Sequence, residues 1–540
     1  MGRVRSIVAK ANAKLTVQMA ASLLAGSMLL SSFLGLFRER LLNSYYFDTY
    51  PVGIDAYVAA FTIPDFMFVM LVSGALSVTF IPVFNQRLVK GNTKSAWELS
   101  SSLINLMALG TLVVSILIII FAEPLVKYVV APGFDETGRN LAVSMMRVVA
   151  VNPLLFAVAA VITSMQQAIG RFTFYALAPM IYNIGIIIGT VFFTRGINIL
   201  GWQIFDGGIM GVALGVVLGS IMQLLVSSIG LLGLGFDYQF KIFWKNKGFR
   251  KVLRLLPPRS LDQGADYLNG IVEVNLASRL GTGVVRSYQQ ATILHLVPIN
   301  LIGVAISTAA FPEMTARLSE GRPDLFKKEL QSILRVIIWL AMPVAVITFF
   351  ARGYLVNFLK NGGDTLIAGL LGALTVAILF RSIYYIAARS FYAQQDTKTP
   401  LYISIFAISL NIGLAIWFTM VLGFGAYGLA WAQSIVAVIE VILLFAVMSR
   451  RIDGLFDSVF VSAILRMMSA AGFMGLICYV TVVIFQLQGS DQSFFATFPK
   501  FFTIVAVSAI SYAGFCKLFG IREVDPVLNK IQSLVFGQTR

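Results

Sequence analysis

The residues of this sequence most able to do chemistry are charges set inside long apolar runs. The first such run ends Gly35-Leu36-Phe37-Arg38-Glu39-Arg40. The second opens Asp55-Ala56-Tyr57 and continues Ile63-Pro64-Asp65. A charge at the middle of a bilayer costs about 2.5–3.5 kcal/mol unless it meets water or a partner. A seventh run, 260–280, is the least apolar and carries Asp262, Asp266, Asn269 and Glu273. Their spacings of 4, 3 and 4 put them on one helix face. Such a stripe lines a water-filled cavity or a helix contact. The cavity reading makes Asp266 and Asn269 candidates for substrate binding. Arg279 and Arg286 fall near a span end, where long basic side chains snorkel to the interface. His295 stands beside Gln289 and Gln290 and is read first as a hydrogen-bonded interior histidine, with proton coupling as the alternative. Glu273 and Asn411 are candidate ligands for a coupling cation.

Several chemistries are excluded. One histidine rules out a multi-histidine metal site. Cys478 and Cys516 sit in apolar runs far from any metal or redox spacing and read as packing residues. No Walker A sequence is present, so transport driven by ATP at this chain is not expected; a coupling cation or the membrane potential takes its place. No cluster of nucleophile and base stands out, so an enzyme is not expected.

The elements that hold these charges follow from composition. Hydrophobic residues make up 58% of the chain and charged residues 12%, about half the charged share of a soluble domain. The apolar residues come in blocks of about 20, the length of a membrane-crossing helix. Cutting at polar loops gives about fourteen spans, an all-α polytopic membrane protein with no cofactor. The basic N-terminal segment 1–15 precedes an apolar run without a clean cleavage site, so an uncleaved first helix is expected. The net charge of +16 is not spread as a nucleic-acid surface. Lys and Arg crowd into alternate connections: the N-terminus, Arg87 to Lys94, Lys241 to Arg254, Arg317 to Lys328, Arg450-Arg451 and the C-terminus. The intervening connections hold far fewer. Basic loops face the cytoplasm, so both termini are expected there.

The sequence also repeats. Gly74-Ala75-Leu76-Ser77 through Pro82 and Arg87-Leu88 matches Val304-Ala305-Ile306-Ser307 through Pro312 and Arg317-Leu318 at a spacing of 230 residues. Gln166-Gln167 and Asn183-Ile184-Gly185 recur as Gln394-Gln395 and Asn411-Ile412-Gly413 at a spacing of 228. Two parallel six-helix lobes with two helices left over are therefore expected, an architecture that works by rocking around a central cavity. The expected boundaries are a lobe at 1–236, a basic linker at 237–257, a lobe at 258–451, an extra helix pair at 452–520 and a tail at 521–540.

Arg389-Ser390-Phe391-Tyr392-Ala393-Gln394-Gln395-Asp396-Thr397-Lys398-Thr399-Pro400 resembles a signature of the MurJ/MviN lipid II flippases, within the MOP transporter superfamily. Leu34 to Glu39, Asp55 to Pro64, and Gly74 to Pro82 resemble three further motifs of that family. The resemblance covers the whole chain. It implies movement of a lipid-linked diphosphate precursor of the cell wall by alternating access, beside membrane lipids and cell-wall synthesis proteins. It implies Arg38 as a phosphate ligand, Glu39 as its acidic neighbour and Asp55 as a gate or cavity acid. Arg389, Asp396, Lys398 and Pro400 are signature positions, and the extra helix pair is suited to the polyprenyl tail. The sequence departs from the family where arginines are expected: Ser32 and Phe68 stand at two such places, and Ala291-Thr292-Ile293-Leu294 lacks a third. Ser73 replaces a glutamate. Arg40, Arg259 or Arg286 are the cations left to substitute. The alternatives are an exporter of another polyprenyl-linked saccharide or a cationic drug, and a scaffold for cell-wall enzymes that transports nothing.

Overall fold

The computed structural model describes residues 17–72, 75–199, 202–526 and 528–529. The basic segment 1–16, Ser73 and Gly74 of the repeat, and the tail from 530 lie outside the described residues. Two compact units result, Met1–Arg286 and Ser287–Arg540.

The first unit contains α1 (Val17–Tyr46), α2 (Pro51–Leu71), α3 (Ala75–Val89), α4 (Thr93–Pro124), α5 (Glu136–Val149), α6 (Asn152–Ile169), α7 (Thr173–Val191), α8 (Met210–Ile229) and α9 (Lys247–Ser278). The start of α10 (Val284–Pro298) also belongs to it. The second unit adds α11 (Ala305–Ser319), α12 (Pro323–Phe350), α13 (Arg352–Leu359), α14 (Thr365–Ala393), α15 (Lys398–Ile416), α16 (Ala426–Arg451), α17 (Ser458–Ile484) and α18 (Phe494–Leu518). A bilayer offers no water to peptide groups, so each span closes its own hydrogen bonds as a helix. At the polar edges side chains finish the job: Asn92, Asp135, Asn246, Asp364, Asp457 and Ser493 each cap the free N–H groups of the helix that follows.

Among the described residues, twelve helical segments are long and apolar enough to cross a membrane. The long helices α1 and α9 bring the number to the fourteen expected. The second expected span is divided between α2 and α3. The fold is all-α as expected, with one short hairpin among the described residues: Ile197–Ile199 (β1) and Trp202–Phe205 (β2) pair antiparallel. β-Branched and aromatic residues confined to so short a connection favour a hairpin over a helix turn.

In the first unit, α7 packs closely on α8, α1 on α7, and α9 on α2 and α3. Thus the unit includes the seventh span and runs past the basic linker to Arg286. The α7–α8 seam is made by glycine: Gly185 approaches Gly219, and Gly189 approaches Gly215, backbone to backbone. Where lipid is as apolar as leucine, close backbone packing supplies the attraction. Gly215→Val should force the helices apart and cost about 1–3 kcal/mol. The expected result is a lower thermal midpoint for the purified chain in detergent. Gly110→Ala, where an added Cβ meets nothing within contact range, should leave it unchanged.

The core of the second unit is Leu330, Leu334 and Ile337 of α12, Ile386 of α14, Leu444 of α16, and Met467 and Met474 of α17. The C-terminal pair is docked there. Trp339 Nε1 donates to Cys516 Sγ at 3.3 Å, and the Tyr512 hydroxyl donates to the Trp339 carbonyl at 3.0 Å. Both cysteines are buried and unbridged.

Candidate functional site

The charges at the end of α1 meet partners from α7 and from the start of α10, which α2 holds in turn. Asn183 of α7 ties α1 down, its amide donating to the Ser31 carbonyl and Oγ at 3.3 Å each. Its Oδ1 accepts from Arg38 Nη1 at 3.0 Å. Glu39 then bridges two arginines. Its Oε1 lies 2.5 Å from Arg38 Nη2 and its Oε2 lies 2.7 Å from Arg286 Nη2. Arg286, in the first turn of α10, has a side chain only 1% exposed. Its Nε and Nη2 donate to Asn43 Oδ1 at 3.0 and 2.7 Å. Asn43 sits one turn beyond Glu39, so α1 presents both acceptors on one face.

Asp55, buried near the start of α2, faces the same helix start. Its Oδ1 accepts from the Arg286 backbone N–H at 2.8 Å and its Oδ2 from the Gly283 N–H. Asp55 therefore caps α10, whose first N–H groups have no partner of their own. Two arginines and two carboxylates are held together, one arginine locked and one not. Arg38 is the partly open member: its side chain is 21% exposed, although its Nε–H is buried and has no hydrogen-bond partner among the described residues. A guanidinium with donor capacity to spare, held in a fixed orientation, is the chemistry that recognises a phosphate oxygen.

The expectation that Arg286 snorkels at a span end is corrected, because Glu39 and Asn43 supply acceptors that make burial the better state. Arg40 is half-buried on α1. The side chains of Arg259, Asp262 and Asp266 lie outside the described residues. Asn269 Nδ2 donates to Glu273 Oε1 at 2.9 Å, one turn apart on α9. Lower on the helix, Asn275 donates to the Val129 carbonyl at 2.7 Å and Ser278 Oγ accepts from the Gly133 N–H at 3.3 Å. The end of α9 thus contacts the π-helical turn Leu125–Val130 and the residues just after it. Glu273 is in the first unit and Asn411, buried on α15, is in the second. Where the family pattern has an arginine on α2, Phe68 stacks edge-on against Phe156 at 5.5 Å, which in turn meets Tyr182 at 5.3 Å.

The second unit holds an ion pair that was not anticipated from the sequence. Glu440 of α16, buried, lies 2.7 Å from Arg381 Nη1 of α14 and accepts from Ser404 Oγ of α15 at 2.9 Å. Intramembrane charge, the criterion that flags Arg38, also flags Arg381 and Glu440. His295 is buried, and its Nδ1 has no hydrogen-bond partner among the described residues.

The signature segment between α14 and α15 is a structural device. Asp396 Oδ1 accepts from the Lys398 and Thr399 N–H groups at 3.0 Å each, and its Oδ2 from Thr399 Oγ1 at 2.6 Å. Arg451, at the end of α16, reaches Asp396 Oδ2 at 2.7 Å and lies over the Phe391 ring at 5.0 Å. Lys398 is exposed, Arg389 half-buried, and Pro400 buried in the first turn, where no N–H is needed. The bonds from Thr399, backed by Arg451, hold the Asp396 carboxyl below the usual carboxylate range. A lowered pKa means its stabilisation is complete at neutral pH and is lost only as pH falls below the ordinary aspartate range. Asp396→Ala should cost about 1–2 kcal/mol, the worth of a good helix cap. A melting curve at neutral pH should show the loss, and the gap from wild type should narrow on acidification.

The family model described as lipid II flippase MurJ matches residues 44–500. The chain belongs to the MurJ family. A probable lipid II flippase MurJ of Thermotoga maritima is 26% identical over 88% of this chain and 92% of its own length. The lipid II flippase MurJ of Burkholderia cenocepacia is 27% identical over 71% of this chain and 74% of its own. Among solved structures, a lipid II flippase MurJ in an inward closed conformation aligns with a TM-score of 0.74 over 92% of this chain and 98% of its own, at 24% identity. A multidrug-resistance MATE transporter of the MOP superfamily aligns at 0.67 over 81% of this chain and 99% of its own, at 16% identity. The MATE likeness is one of fold alone. MurJ membership makes this a multi-pass membrane transporter rather than an enzyme.

Proposed function

We propose that this chain moves lipid II from the cytoplasmic to the outer leaflet by alternating access, with Arg38 as the cation that meets the diphosphate. The observation that carries the site is the asymmetry of the network. Glu39, Asn43 and Asp55 hold Arg286 in place at 1% exposure, while the Arg38 side chain stays 21% exposed. The substrate rests on the family. Glu39 and Asp55 thereby act as positioning residues and not as phosphate contacts. Arg40, Arg259, Asp266 and Asn269 are candidates for the remainder of the headgroup. Glu273 and Asn411 are candidate ligands for a coupling cation, with the membrane potential as the other source of drive.

The alternation of basic loops supports both termini in the cytoplasm of a bacterial inner membrane. The polyprenyl tail needs an apolar path. The extra helix pair at 452–520 is the candidate for it, and a groove of about 290 Å³ lined by Met342, Val346, Phe350, Val376, Leu379 and Phe380 of α12 and α14 offers further apolar surface. In this reading the product is handed to cell-wall synthesis proteins. The test is complementation of a bacterium depleted of its own lipid II flippase. Growth restored by the wild-type chain is expected. A well-inserted chain that fails to restore growth would instead favour a scaffold or another cargo.

A further inference from the structure

A second site of the first unit lies where α3 meets α4 and the strap that leads into α9. A cavity of about 940 Å³ is lined there by Arg87, Lys90, Lys241, Lys245 and Lys247 against a single acid, Glu98. None of these residues belongs to the Arg38 network, so this cavity is independent of the flipping site.

The cavity is built and not merely a run of solvated charge. The strap is pinned to α4. Asn105 Nδ2 donates to the Gln239 and Lys241 carbonyls at 2.8 and 3.1 Å, Tyr238 donates to Asn105 Oδ1 at 2.6 Å, and Ser102 Oγ accepts from the Phe243 N–H at 2.8 Å. Arg87 forms the back wall, donating to Ser95 Oγ at 3.1 Å and the Val83 carbonyl at 3.0 Å. Asn246 caps α9 through the Gly248 and Phe249 N–H groups and donates to the Ser95 carbonyl at 3.1 Å. Among the described residues, Lys90, Lys241, Lys245 and Lys247 make no ion pair, although Glu98 lines the same cavity. Lys241 Nζ lies over the Phe243 ring at 5.6 Å, and among the described residues the four ammonium groups stand without a carboxylate partner beside a preformed frame. Trp244 lines the cavity and is 55% exposed, and Val89 and Phe240, the chain neighbours of Lys90 and Lys241, are 88% and 91% exposed. Aromatic and basic residues side by side are the pattern of the membrane–water interface.

We propose that this cavity binds a phosphate group, carried by an anionic phospholipid headgroup of the leaflet that the basic loops face. The lysines supply the charge, Arg87 and Asn246 the fixed frame, and Phe240 and Trp244 the contact with acyl chains. Free phosphate chemistry from solution shares the same recognition, so the test separates the two.

The full chain is purified in detergent and titrated with cardiolipin or phosphatidylcholine, and bound lipid is counted by native mass spectrometry. Wild type should retain cardiolipin over phosphatidylcholine. Lys90→Gln/Lys241→Gln/Lys245→Gln should weaken cardiolipin binding on the order of 100-fold, about fivefold per lysine. The three lysines are exposed, so its elution and melting should match wild type. Lys127→Gln/Lys328→Gln/Lys517→Gln removes equal charge elsewhere and should bind as wild type. Displacement of the lipid by inorganic pyrophosphate in the wild type would keep the phosphate site and move its natural ligand to the soluble side. Equal cardiolipin retention by the cavity variant and wild type, or an equal loss in the control variant, would overturn the proposal.

Discussion

Arg38→Ala is expected to abolish most lipid II delivery while leaving the chain folded and inserted. A hydrogen bond to a charged group is worth about 1.5–3 kcal/mol, so loss of this cation should slow delivery by roughly 10- to 100-fold. The fold should survive because Glu39 keeps its 2.7 Å pair with Arg286 and Asn183 keeps its bonds to Ser31. Arg38→Lys keeps a point charge but loses the planar fork, so partial activity is expected. The measurements are the rate at which lipid II reaches the outer leaflet and the amount of chain in the membrane. Normal delivery by the alanine variant would remove Arg38 from the substrate path.

Arg286→Ala should behave in the opposite way, failing first in stability. Arg286 is buried, and its removal strands part of Glu39 and all of the Asn43 acceptor it satisfied. Breaking a buried pair from one side costs about 3–5 kcal/mol. Most of that loss belongs to the orphaned carboxylate and not to the missing attraction. The double variant Glu39→Gln/Arg286→Met should therefore regain much of the melting temperature that Arg286→Ala loses, with a coupling of about 0.5–3 kcal/mol between the two sites. It should not regain delivery, because Arg38 has lost the carboxylate that orients it. Additive stability losses would mean that the two residues do not act as one unit.

The contrast between the two arginines shows what was legible in the sequence. The helices could be read because hydropathy is written over some 20 residues at a time and each bilayer crossing repeats the demand. Arg38, Glu39 and Asp55 could be located because intramembrane charge is rare. Their roles could not, since those depend on partners distant in sequence. Arg286 reads as an interface residue until α1 places Glu39 and Asn43 against it, and Asp55 reads as a cavity acid until the start of α10 claims both its oxygens. The Asp396-Thr397-Lys398-Thr399-Pro400 segment was visible as a signature, but only the reach of Arg451 explains it as a staple between three helices. The sequence shows that Phe68 stands where an arginine was expected. Only the packing shows an aromatic row with Phe156 and Tyr182 in its place.

Delivery of lipid II through a site centred on Arg38 is tested most directly in cells depleted of their own flippase. These cells express either the wild-type chain or Arg38→Ala at matched membrane levels. An externally added enzyme that cleaves lipid II then reports how much has reached the outer leaflet. Rapid cleavage is expected with the wild-type chain, and a rate at least tenfold lower with the variant. Lipid II that stays protected with the wild-type chain, or is cleaved equally with both, would contradict a delivery site centred on Arg38.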